Sequence, residues 1–227
     1  MQIFPSITTI TRKWREQIKE INKLGLSEVC VFLSNLDVDK HAEIFTLLEK
    51  TKLKTVPFIH INNKTTPDEL KFWIKRWGTQ VFNIHSERQY PNEYNLTAYK
   101  DKIYIENAKE PWDEDEIQRW GGICLDFAHM EGDKMLKLPK YYTNWKILKK
   151  YHPGCGHIGA IYSDQTWFDE ERNQRRNDYH VIRTCHDLDY LKNYPLEVFP
   201  EIVAIELEEP LAKQLEIKLY IEKLLGL

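Results

Sequence analysis

Eight short apolar runs recur along the chain with mostly helical spacers between them, and this rhythm constrains the fold more than any other feature. The runs are Gln2 to Phe4 (closed by Pro5), Glu28 to Ser34, Thr55 to Ile61, Gln80 to His85, Lys102 to Asn107, Gly122 to His129, Gly156 to Tyr162 and Ile202 to Glu208. Each has the length and the β-branched or aromatic content of a buried strand. From Thr9 to Leu24, Ile10, Trp14, Ile18, Ile21 and Leu24 share one face of an amphipathic helix, which Gly25 stops. Asp37 is placed to cap a second helix, with Val38, Ala42, Phe45 and Leu48 on one face. Thr66-Pro67-Asp68-Glu69 has the residues of a capping box with proline at the first helical position, and the helix it opens ends at Gly78. Further helices are expected at Asp113 to Trp120, Tyr142 to Tyr151, Asp187 to Tyr194 and Leu211 to Leu225.

Alternating strands and helices predict βαβ units and a parallel sheet. Eight strands within 227 residues predict a (β/α)8 TIM barrel, one domain spanning residues 1–227. The polar, irregular stretch Ser86 to Asp101 and the short spacer after Asn107 predict shortened or missing helices after strands four and five. Residues 163–180 read as a long polar loop containing arginines.

In such a barrel the chemistry sits at the carboxyl ends of the strands. Ionisable residues fall at those ends: His60, His85, Glu106, Asp126, His129, and Glu206 or Glu208, which alternate onto one face if the strand runs on. His157 lies earlier in its strand and points inward if the register holds. Taken singly, each reads as a hydrogen-bonded structural residue, and Asp126 as a cap for a following helix. Imidazoles and carboxylates gathered at one mouth are the donor set of zinc, manganese or iron. His41, His152 and His186 read as surface or loop residues.

Cys30, Cys124, Cys155 and Cys185 contain no C-x-x-C pair, and Cys124 reads as a small buried apolar residue, so a reducing compartment is expected. Met1 to Pro5 lacks a basic, apolar leader and no apolar run approaches a membrane span, which makes a cytoplasmic protein without a membrane partner the expectation. A net charge of -3 provides no global field toward nucleic acid.

The segments Phe82-Asn83-Ile84-His85, Ile105-Glu106-Asn107, Cys124 to His129, Gly156-His157-Ile158, Asp178-Tyr179-His180 and Leu207-Glu208-Glu209 resemble, in that order, the xylose isomerase-like barrels. Within them they are most similar to the endonuclease IV group, the family 2 apurinic-site (AP) endonucleases. The resemblance implies up to three zinc ions and phosphodiester hydrolysis. One ion would be held by His60, His85 and Glu106. A second would share Glu106 with Asp126, His157 and either Glu206 or Glu208. A third would sit on His129, Asp178 and His180. Glu106 and the strand-eight glutamate would orient the attacking water, Arg172, Arg175 and Arg176 would contact phosphates, and Trp167 with Phe168 would stack on a base or gap. The same barrels imply a second reading, a sugar or sugar-phosphate isomerase or epimerase with a single manganese, magnesium or cobalt ion on Glu106, Asp126, His157 and Glu206. A degenerate, non-catalytic barrel is the third. The chain is shorter than the nucleases after strands four and five, and Ser86-Glu87-Arg88 stands where they have glycine-rich sequence. With the acidic balance, this favours a small phosphodiester or sugar substrate over DNA.

Overall fold

The computed structural model of the chain describes residues 1–11, 13–170 and 173–227. Pro5 has no N–H to give to a ladder, and it divides the first strand into two halves with different neighbours. The strands are β1 (Gln2–Phe4), β2 (Ser6–Thr8), β3 (Cys30–Phe32), β4 (Phe58–His60), β5 (Val81–Ile84), β6 (Ile103–Glu106), β7 (Ile123–Asp126) and β8 (Cys155–Ile158). They continue with β9 (Ala160–Ile161), β10 (Trp167–Asp169), β11 (Gln174–Arg176), β12 (Asp178–Tyr179) and β13 (Ile202–Ile205). Nine of them bond side by side, all in parallel, in the order β1-β13-β8-β7-β6-β5-β4-β3-β2. Because β1 and β2 are halves of one segment, the row is a ring, a (β/α)8 barrel. Its first strand therefore runs past Pro5 to Thr8, further than the sequence suggested.

At the break, a side chain stands in for a neighbouring strand. Ser6 N donates to Gln214 Oε1 at 2.7 Å, and Gln214 Nε2 donates to Ser6 O at 2.9 Å and to Leu207 O at 3.0 Å. Gln214 belongs to the closing helix and is fully buried, so its amide offsets backbone groups that burial would otherwise strand.

The ring separates two apolar regions. Phe4, Cys30, Phe32, Phe58, Val81, Cys124, Cys155, Ile202 and Ala204 fill its interior. The larger cluster lies between the strands and the helices α1 (Trp14–Leu24), α2 (His41–Glu49), α3 (Pro67–Trp77), α4 (Glu114–Arg119), α5 (Phe127–Met135), α6 (Pro139–Leu148) and α7 (Leu211–Leu225). Gly25 and Gly78 end α1 and α3 at positive φ, and Thr66 and Glu69 form the expected capping box. The spacer after β5 holds only a 3-10 turn at Thr97–Lys102, and α4, after β6, has six residues.

Several elements differ from expectation. The sixth strand stops at Asp126, and α5 starts at the next residue, because Asp126 caps it. The next helix is α6, a few residues earlier than Tyr142 to Tyr151, with Pro139 in its first turn. Where a helix was expected over Asp187 to Tyr194, the chain forms a 3-10 segment, Cys185–Asn193, that ends one residue earlier. The expected loop 163–180 contains an antiparallel hairpin, β10 with β11, and β12 returns to pair with β9. His41 is buried, with Nδ1 2.6 Å from Glu69 Oε1, because a 3-10 turn at Val38–Lys40 rotates α2 so that His41, Ile44 and Leu48 face inward.

Candidate metal centre

Asp126 ends β7 and caps α5, and each carboxylate oxygen has a separate task. Oδ1 accepts from His129 N at 2.7 Å, capping the helix. Oδ2 faces His129 Nδ1 at 3.3 Å and His157 Nδ1 at 3.2 Å. One turn of helix thus carries His129 back over the strand end.

Glu106, last residue of β6, lies at the hub. Its Oε2 is 2.7 Å from His60 Nε2, 3.3 Å from His157 Nε2 and 3.6 Å from His85 Nε2. Its Oε1 is 3.3 Å from His129 Nδ1. Opposite, Glu206 Oε2 lies 2.8 Å from His157 Nδ1. Relative exposure among His60, Glu106, Asp126, His129, His157 and Glu206 does not exceed 7%. Three groups bring one ligand atom per residue within 4.8 Å of each other: His60, Glu106 and His157; Glu106, Asp126 and His129; Asp126, His157 and Glu206.

The electrostatics follow from that crowding. Burial pushes the Glu106 carboxyl up, but His85, His157 and His60 outweigh it and hold it well below the usual carboxylate range. Burial opposes charge on His157 as well, and Glu206, Glu106 and Asp126 overcome it and hold its pKa well above normal. Glu206 is lowered to about 2, burial again being outweighed, here by His157 and His180. His85 goes the other way: desolvation pushes it to about 4 against the pull of Glu106. His129 is raised, chiefly by Asp126 working against burial.

The residues fit a divalent metal. Both ring nitrogens of His157 and Nδ1 of His129 lack a hydrogen bond among the described residues, although carboxylate oxygens lie close by. Buried imidazole nitrogens seldom go unpaired, and rings turned to a space shared with carboxylates, each able to give one lone pair when neutral, are the donor arrangement of a metal site. The centre opens at its rim. His85 lines a cavity of about 100 Å³ with Ser34, Asn35, Ile61, Asn62 and Tyr90.

Other expected residues are placed differently. Of the two strand-eight glutamates, Glu206 enters the cluster and Glu208 joins none of the three groups. The strand ends at Ile205, so two-residue alternation no longer holds beyond it. His129, Asp178 and His180 do not gather as one group. His180 Nδ1 sits 3.3 Å from Glu206 O, and Asp178 Oδ2 lies 3.5 Å from His129 Nε2. Arg176, expected on substrate phosphates, is 5% exposed and forks onto Asp178. Arg175 is exposed, with Nη1 3.1 Å from Thr166 Oγ1. Trp167 is exposed too, and its Nε1 donates to Asp178 O at 3.1 Å. Arg172 lies outside the described residues.

Two asparagines were missed. Asn83 Nδ2 donates to Glu106 Oε2 at 2.8 Å, and Asn107 brackets the backbone of Asp126, donating to its O at 2.8 Å and accepting from its N at 2.7 Å. The signal for Asn83 was a lone amide inside the apolar run Val81-Phe82-Asn83-Ile84, two residues before His85 and so on the same face.

No family model matches the chain, and no curated protein matches it. Among solved structures, the crystal structure of AP endonuclease, family 2 from Brucella melitensis matches with a TM-score of 0.41 and 9% identity, over 95% of this chain and 98% of that chain. The barrel assignment rests on the strand order of the chain itself. No helix among the described residues is long and apolar enough to cross a membrane.

Proposed function

We propose that this chain is a divalent-metal-dependent phosphodiester hydrolase of the endonuclease IV type, within the xylose isomerase-like barrels, with zinc as the preferred ion. The observation that carries this reading is the position of Glu106. Its two oxygens face different ligand groups, so one carboxylate could serve two ions. His60, His85 and His157 stand at Oε2, and His129 with Asp126 at Oε1, while Glu206 joins the cluster through His157. Clustered divalent ions would lower the pKa of a bound water to near neutrality and stabilise charge on the attacking and leaving oxygens.

The remaining work falls to the chain. Asn83 holds the Glu106 carboxylate in one orientation. Glu206, kept ionised, keeps a negative charge at the pocket wall. The enclosing residues exclude water from all sides but the rim. Trp167 and Phe168, exposed on the hairpin, offer flat faces to a base, and Arg175 lies beside them for a phosphate. With a net charge of -3 and short connections after β5 and β6, a short or single-stranded phosphodiester suits the site better than a long duplex.

The same pocket contains a single-ion set, Glu106, Asp126, His157 and Glu206, and His157 approaches both glutamates. That favours sugar isomerisation as the second reading. Metal counting on purified, zinc-reloaded protein, together with assays on bis(p-nitrophenyl) phosphate and an abasic-site oligonucleotide, tests the choice. Two or more ions per chain, with phosphodiesterase activity lost in Glu106→Gln, is the expected result. One exchangeable manganese, magnesium or cobalt with aldose–ketose activity would favour the isomerase. No ion under any loading would overturn both.

A further inference from the structure

A buried arginine stands beside this centre. Arg176 Nε donates to Asp178 Oδ1 at 2.7 Å, and its Nη2 pairs with Oδ2, so one guanidinium takes both oxygens of the carboxylate. The fork is encoded locally. Arg176 and Asp178 are two residues apart in extended chain and therefore share a face. The pairing of β12 with β9 and the Trp167 Nε1 bond to Asp178 O fix the segment against the barrel. Around the guanidinium lie further acids, Asp126, Asp133 and Asp169, the last 3.9 Å from Nη1. Beyond it, Asp178 Oδ2 still reaches toward His129 Nε2 at 3.5 Å, while the other ring nitrogen of His129 faces Glu106 and Asp126.

We propose that Arg176 is a built-in cation standing in for a metal ion beside Asp178, and that the Arg176–Asp178 pair orients His129 toward the Glu106 hub. Resting on the metal-centre reading above, this makes the centre dinuclear and makes Asp178 a positioning residue. Two arguments support it. A further divalent ion would have to displace the arginine from both Asp178 oxygens and sit against its fixed charge. A carboxylate behind the far nitrogen of an imidazole fixes the tautomer and direction of the near one.

The experiment counts zinc per chain by elemental analysis after reloading apoprotein and removing free ion, and measures affinity by chelator competition. Wild type should retain two ions. Arg176→Met should gain a third, and Arg176→Lys should stay at two. Asp178→Asn should keep two ions, with one of them bound about 10–100-fold more weakly. Three ions in wild type would overturn the role of Arg176 and leave the metal-centre reading standing. So would loss of an ion in Asp178→Asn, or a count of two in Arg176→Met with native far-ultraviolet circular dichroism. Fewer than two ions in wild type would overturn the dinuclear centre itself, and this proposal with it. If Arg176→Met fails to fold, the wild-type count and the Asp178→Asn affinity still decide.

Discussion

Replacing Asn83 with alanine removes the donor that holds the hub carboxylate. The amide nitrogen lies 2.8 Å from Glu106 Oε2, in a site where Asn83 is fully buried. A hydrogen bond to a charged acceptor contributes about 1.5–3 kcal/mol net, and each 1.4 kcal/mol or so is a factor of ten in an equilibrium constant. That oxygen also faces His60, His157 and His85, so without the amide the carboxylate can swing toward any of the three. Ion binding would then have to supply the ordering that Asn83 now provides, and zinc affinity should fall about 10–100-fold. Competition with a chromophoric chelator at neutral pH reads the affinity, and melting in EDTA checks that the apoprotein still folds. A folded Asn83→Ala protein whose zinc affinity stays within about twofold of wild type would refute the idea that this bond orients the hub. Asn107→Ala makes the contrast, since the Asn107 side chain bonds the Asp126 backbone and not the Glu106 carboxylate, and its loss should lower the melting temperature more than the affinity.

Chelation should destabilise the protein as well as inactivate it. Zinc at about 100 times its Kd adds about 2.7 kcal/mol, and for a chain of this size EDTA should lower Tm by about 5–10 °C, whereas an unchanged Tm would count against a resident metal. Gly156 is packed against its neighbouring strand, and a Cβ there would lie 2.8 Å from Leu125 O. Gly156→Ala should cost about 1–3 kcal/mol, seen as a lower urea midpoint with an unchanged slope, and a wild-type midpoint would contradict the packing. Burial pushes the Asp133 carboxyl from 3.8 to about 6, although Lys140 Nζ lies 3.1 Å away. The folded protein then binds this proton more tightly than the unfolded chain. The resulting stability is full below about pH 4 and falls by about 3 kcal/mol as pH rises through 6. Asp133→Asn lacks this dependence, so wild-type stability relative to the variant should drop by that amount from pH 4 to 8, and parallel profiles would contradict it.

The sequence made the barrel legible because a parallel strand buried on both faces must be apolar throughout, and each polar end then stands out. His60, His85, Glu106, Asp126 and His157 were all visible in this way. Glu206 could not be told from Glu208, since the choice depends on where β13 stops. The start of α5 was masked because Phe127 and Ala128 continue an apolar run, although Asp126 was legible as a cap for a following helix. Arg176 looked like its neighbour Arg175, because burial depends on how the hairpin folds back and leaves no local mark. His41 was read on the wrong face because one 3-10 turn shifts the helical phase.

The split first strand bears on how the molecule folds. The half before Pro5 pairs with Ile202–Ile205, and the half after it pairs with Cys30–Phe32 and takes the amide of Gln214. These partners are separated by nearly the whole chain, so the entropy of loop closure is greatest at this seam. Strands β3 to β8 can zip together through neighbours close in sequence, but the ring waits for the last strand and α7. Closure should therefore set the folding rate, and until it occurs the edges of β3 and β13 are open to pairing with other chains.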